Sequence, residues 1–233
     1  MMKWNPFKKS FDPLGILLLL TMILVTVSSV VVKQSVLRVF PLYVSMVISL
    51  LHSKVNRYAY LLGGLNSISY GFIALYYHIP GTAISAFLFN CPLQLLSFIR
   101  WSKTSWKHST VLKKMTPKGR GYNLLFLVAG GAVYYLLIRA LGSASSLVDA
   151  AASFLGAYIT VLQLLKYSEY TLCMIPSGLL TITLYISLMV QGSMEQLPFL
   201  IYACFSFACT LRSVRQARRI LEEQKKNQPE ISG

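Results

Sequence analysis

Mostly apolar runs of eighteen residues or more recur along the whole chain, separated by short basic or turn-forming stretches. Each run is long enough to cross roughly 30 Å of hydrocarbon as a helix. The pattern predicts eight spans, at 14–32, 36–52, 58–77, 82–100, 122–141, 147–165, 170–190 and 196–211, the last able to continue to 214. Residues 1–13 form a short basic head, with Pro13 at the threshold of the first helix, where proline is well tolerated. That first run has the charged start of a signal peptide. It is longer than the usual apolar region of one, and no small-x-small cleavage pattern follows, so it is read as a retained helix.

Polar residues inside these runs carry the functional information. The stretch 61–101 holds two spans around the turn His78-Ile79-Pro80-Gly81, and each span contains amides. Asn66 and Tyr70 are four residues apart, as are Asn90 and Gln94, so each pair shares a helix face. In hydrocarbon an unpaired polar group costs several kcal/mol, so these faces must meet protein or water. They either hold helices together or line a polar path or ligand site. Other stripes run through Ser45, Ser49 and His52, and through Asp149, Ser153, Gly156, Thr160 and Gln163. Pro92 predicts a kink in the fourth span, and Pro176-Ser177-Gly178 one in the seventh, ahead of Thr181 and Tyr185. Gly130-Gly131 allows close helix approach in the fifth.

Composition agrees with a membrane protein. Of 233 residues 55% are apolar, and the mean hydropathy is +0.58. The net charge of +15 does not point to nucleic acid, because its carriers sit in short loops and the tail. With the N-terminus inside, nineteen of the 22 Lys and Arg fall on the cytoplasmic side, leaving Lys33, Arg38 and Arg139 opposite. That asymmetry puts both termini in the cytoplasm. Cys91, Cys173, Cys204 and Cys209 form no CxxC pair and read as small apolar residues. His52 and His78 are expected at the surface beside spans, without acids or cysteines at metal-ligand spacing. Asp149 opens the sixth span, where N-capping and proton coupling are both open roles. Seven acids in all, and no HExxH or Gly-x-Ser-x-Gly pattern, leave no catalytic constellation, so no enzyme is expected.

Spans two to four end in a basic loop and spans six to eight in a basic tail, with span five as a lone connector. Laid over each other, Arg100 meets Arg212, and Leu50-Leu51 meets Leu164-Leu165. One connector makes the two three-helix units parallel repeats, the type of architecture in which transporters hold substrate between units. The chain then divides into a head with an extra N-terminal helix (1–35), a first three-helix unit (36–101), a basic loop and connector helix (102–146), a second unit (147–214) and a basic tail (215–233), whose mixed charges predict a short surface helix that frays.

Gly64-Leu65-Asn66, Tyr70-Gly71, Gly81 and Phe89-Asn90-Cys91-Pro92-Leu93-Gln94 with Phe98-x-x-Trp101 resemble the first half of PnuC-type vitamin transporters. Asp149, Lys166, Glu169 and Tyr185 are compatible with the second half, so the resemblance spans roughly residues 40–215. It implies an all-α integral membrane fold with a SWEET-like three-plus-one-plus-three core, a homotrimer in a bacterial inner membrane, and no cofactor. It implies facilitated diffusion of nicotinamide riboside, or in relatives thiamine or riboflavin, with trapping by a separate cytosolic kinase. Carried onto this chain, the substrate-binding residues are Asn66, Tyr70, Asn90 and Gln94, with Gln163 and Tyr185 from the second half. The family's tryptophans after the acid that opens span seven have no counterpart in Glu169-Tyr170-Thr171-Leu172-Cys173-Met174. Tyr158, Tyr170 or Tyr185 is left to supply a stacking face. Trp4, Trp101 and Trp106 are expected as anchors at the membrane interface. The rival reading is a scaffold subunit that moves no solute.

Overall fold

A computed structural model describes residues 12–76, 85–140 and 147–227. The expected turn at His78-Ile79-Pro80-Gly81 lies outside them, as do the side chains of Asp149 and Ser153. Eight α-helices are described: α1 Pro13–Val31, α2 Val36–Ser53, α3 Tyr58–Tyr76, α4 Cys91–Lys103, α5 Pro117–Ala140, α6 Leu147–Leu164, α7 Tyr170–Val190 and α8 Leu197–Asn227. Four have the length and apolarity to cross a membrane, namely α1, α2, α7 and α8 with the short 3₁₀ turn before it.

Helix neighbours define a ring. α2 packs on α3, α3 on α4, α4 on α6, α6 on α7, α7 on α8, and α8 returns to α2. The remaining two helices sit on its outside, α1 against α8 and α2, and α5 against α6. Close approach of α5 and α6 depends on Gly130, where a Cβ would stand 2.7 Å from the Phe154 ring.

Pro92 lies inside one continuous helical run: a π-helical turn, Ser85–Asn90, passes directly into α4, so the break in regular helical bonding falls just ahead of the proline. Sequence and structure differ at two places in the fold. The tail is not a separate helix, because α8 continues unbroken for 31 residues. Its extension buries Val214, Ala217, Ile220 and Gln224 on one face and exposes Arg215, Arg218 and Arg219, so packing sustains it. Trp101 is no interfacial anchor. It is fully buried, with ring centroids 4.6 Å from Tyr60 and 6.2 Å from Tyr170, and its indole N–H donates to the Gln163 carbonyl at 2.7 Å.

Around Trp101 the ends of both halves are stitched to the loop at 104–116. This loop contains a small hairpin, β1 Ser105–Trp106 paired with β2 Ser109–Thr110. The α2–α3 turn donates Arg57 N–H to His108 O, and the α6–α7 turn exchanges backbone bonds with Lys113. Both turns end their helices the same way, with a left-handed residue, Val55 or Lys166, closing a Schellman-type turn. Glu169 is buried beside the loop and accepts from Met115 N–H and from Arg120.

Candidate functional site

A cavity of about 310 Å³ lies inside the ring. This is at the small end of the roughly 300–1,000 Å³ typical of small-molecule sites. α2 contributes Ser45, Ser49 and His52, and α3 contributes Gly63, Asn66, Ser67 and Tyr70. Gln94 enters from α4, Met174 from α7, and Tyr202, Ser206, Cys209 and Thr210 from α8. The stripe at Ser45, Ser49 and His52 thus faces other helices, as its spacing allowed. His52 is not a surface residue: it borders the cavity and packs edge-on against Tyr60 at 5.1 Å.

The polar groups form two clusters. At one end, Asn66 Nδ2 donates to Ser45 Oγ at 2.9 Å and to the Pro41 carbonyl at 3.3 Å. Ser45 Oγ also donates to that carbonyl at 2.9 Å. Asn66 Oδ1 is buried and has no partner. Burial of an amide oxygen unpaired costs about 1–3 kcal/mol, so this acceptor is a site-defining feature rather than a stabilising one. At the other end, Ser49 Oγ donates to Ser206 Oγ at 3.2 Å and lies 3.4 Å from the Tyr202 hydroxyl.

Gly63 explains how Gln94 reaches the cavity. A Cβ at Gly63 would stand 2.8 Å from Gln94 Cδ and would overlap Oε1, so glycine here makes room for the amide. Gly64 does the same for Leu95, at 2.9 Å. The Gly-Gly step therefore sets the α3–α4 approach.

Of the six residues singled out in the sequence, Asn66, Tyr70 and Gln94 line the cavity together. Asn90 ends the π-helical turn and does not line it. Gln163 is buried near Trp101, away from it. Tyr185 packs against Phe199 at 5.9 Å, again outside it. Tyr158 and Tyr170 belong to the apolar core around Trp101. The aromatic side chains on the cavity wall are instead Tyr70, Tyr202 and His52. Sequence reading did not single out the α8 residues. Their signal was present, since Tyr202, Ser206 and Thr210 stand four residues apart on one helix face.

The cavity wall carries no Asp, Glu, Lys or Arg among the described residues. The charged side chains lie off the cavity wall. Asp12 caps α1 and pairs with Arg212 and, at 3.1 Å, with Lys54. The Arg212 bond holds the Asp12 carboxyl below its usual value, and Lys54 adds to this against a partial desolvation. Lys166 is lowered from the usual lysine value by desolvation and by the nearby Lys113 and Arg100 charges. Among the described residues, no three His, Cys, Asp or Glu side chains come together as a metal site.

An all-helical ring enclosing a neutral polar cavity suits passage of a small polar solute, and comparison with known proteins agrees. The crystal structure of the vitamin B3 transporter PnuC shares this fold, with a TM-score of 0.75 over 94% of each chain at 19% sequence identity. No curated protein matches the chain significantly. The family described as nicotinamide mononucleotide transporter matches residues 35–214, which takes in α2 to α7 and α8 as far as Val214. This is a family of transporters and not of enzymes, and the chain is a multi-pass membrane protein that belongs to it.

Proposed function

We propose that the chain moves nicotinamide riboside, or a closely related vitamin, down its gradient through the cavity inside the ring. The carrying observation is the neutrality of that cavity together with the free acceptor on Asn66. A nicotinamide carboxamide supplies the N–H that Asn66 Oδ1 lacks, with Gln94 within the same wall. Ribose hydroxyls suit the Ser49–Ser206–Tyr202 end. The pyridinium of the riboside is a cation, and Tyr70 and Tyr202 offer ring faces for it in place of the missing tryptophans. A phosphate would meet no Lys or Arg on the wall, which favours the riboside over the mononucleotide. Asn90, Gln163 and Tyr185, which the resemblance also brings to the site, would have to act in another state of the cycle.

The mechanism we infer is rocking of α2–α4 against α6–α8. The ring order and the matching turns at Val55 and Lys166 support a three-plus-one-plus-three parallel repeat, with α5 as connector and α1 as the extra helix. The charge distribution supports both termini in the cytoplasm, so the Trp101 core would close the inner side. A homotrimer in a bacterial inner membrane and trapping by a separate kinase complete this reading.

Uptake into liposomes containing the purified protein tests it, using labelled nicotinamide riboside and nicotinamide mononucleotide in parallel without an ion gradient. Saturable entry of the riboside alone, lost in Asn66→Ala and Gln94→Ala, is the expected result. Entry of neither compound, with thiamine and riboflavin then tried, would remove the riboside reading. Entry of none of the four would leave the scaffold as the better description.

A further inference from the structure

The geometry points to a phospholipid site between α1 and α2, with the lipid phosphodiester at Lys33 and an acyl chain in the groove beside it. A groove of about 410 Å³ lies between these helices next to the turn that joins them. Its walls include Val30, Val36 and Phe40, which are 73%, 81% and 60% exposed and therefore face lipid in a membrane-spanning pair. Its end farthest from the turn holds Thr26 and Tyr43, whose hydroxyls satisfy each other at 2.6 Å.

Two polar side chains in the groove have no protein partner among the described residues. Lys33 is exposed at the mouth and makes no ion pair among the described residues. Ser29 is 7% exposed, and its hydroxyl is buried without a partner. The obvious backbone acceptor one turn back, Val25 O, is taken by Ser28 Oγ at 3.1 Å. Ser29 lies in the last turn of α1, deeper than Lys33 in the turn that follows it. A glycerophospholipid offers matching groups in the same order: an anionic phosphodiester at the interface, ester carbonyls a few ångströms deeper, then a hydrocarbon chain. The ester carbonyl accepts the Ser29 hydroxyl proton, the ammonium of Lys33 pairs with the phosphate beside Val36, and the chain runs past Phe40 toward Tyr43. This site is separate from the cavity inside the ring and does not depend on which solute is carried.

Photolabelling of the full chain in phosphatidylglycerol vesicles, doped with a phosphatidylglycerol that carries a diazirine on its acyl chain, tests the site. Adducts are expected to concentrate at Phe40 and Tyr43 over the lipid-exposed Leu19, Leu20 and Leu24 of α1. Lys33→Gln should lower the groove adducts several-fold and leave the Leu19–Leu24 adducts unchanged. Even labelling of these five positions, or no response to Lys33→Gln, overturns the proposal. So does efficient disulfide cross-linking between Val36→Cys chains, which would show a second copy covering the groove.

Discussion

Asn66 Nδ2 donates to Ser45 Oγ at 2.9 Å, and this bond turns the other atom of the amide, Oδ1, into a buried acceptor with no partner. α2 therefore aims a group that α3 carries. Asn66→Ala removes the acceptor together with its anchors, while Ser45→Ala removes only the shorter of two anchors. Riboside uptake should fall at least tenfold in Asn66→Ala at unchanged expression. In Ser45→Ala it should fall less, mainly through a raised KM, because the amide is still present but held only by its 3.3 Å bond to the Pro41 carbonyl. Initial-rate uptake over a range of riboside concentrations separates the two.

Gly63→Ala tests the α3–α4 approach. The new methyl collides with the end of Gln94, a flexible side chain that can swing away. The chain should fold with a thermal midpoint within a few degrees of the parent, yet transport poorly. A double variant, Gly63→Ala with Gln94→Ala, should fold equally well and transport no worse than Gln94→Ala alone. Additive losses in the double variant would show that the two residues act separately.

Trp101 should dominate the stability of the basic end. Truncating a fully buried tryptophan costs about 3–5 kcal/mol, so Trp101→Ala should lower the thermal midpoint sharply in detergent. Trp101→Phe keeps most of the packing against Tyr60 and Tyr170 and loses the indole bond to the Gln163 carbonyl, which still accepts the Lys166 N–H. A drop clearly smaller than for alanine is expected, on the order of 0.5–1.5 kcal/mol.

Gln224 ties the extension of α8 to the hairpin loop. Its Nε2 donates to Thr110 O at 2.9 Å and its Oε1 accepts from Leu112 N–H at 3.1 Å, as a neighbouring strand would. Gln224→Ala leaves a buried carbonyl and a buried N–H unpaired and should cost about 2–4 kcal/mol. Glu223→Ala, one residue away, breaks only the exposed pair with Lys107 and should be nearly neutral in thermal unfolding.

Asp12 predicts an acid limb in stability. Its carboxyl is held below the usual value by Arg212 and Lys54 in the folded chain. A depressed carboxyl stabilises the fold above its unfolded value, near 4, and that contribution fades as the pH falls through the lower folded value. The thermal midpoint of the parent should therefore drop more steeply than that of Asp12→Asn as the pH goes from about 5 to about 3. At pH 7 the variant should be the less stable of the two. Identical pH profiles would show that the Asp12 pairs contribute nothing.

What the sequence by itself determined is the part governed by one-dimensional pattern. Solvation by lipid forces long apolar runs and sequesters their amides, so the helices and the shared faces of Asn66 with Tyr70 and of Asn90 with Gln94 could be read from spacing, and the family from a resemblance in short motifs. Pairing between distant segments was decided only in three dimensions. Trp101 carries the same amphipathic ring whether it lies at an interface or in a core, and its burial depends on Tyr60, Tyr170 and the Gln163 carbonyl converging on it. His52 borders a cavity because α8 brings Tyr202 and Ser206 opposite α2, a contact across about 150 residues of chain. The basic tail reads as a short surface helix that frays, and it becomes a continuation of α8 because the loop at 104–116 supplies an apolar and hydrogen-bonding surface for one of its faces. Polarity and periodicity are local quantities, whereas the partner that satisfies a polar group is chosen by the packing of the whole ring.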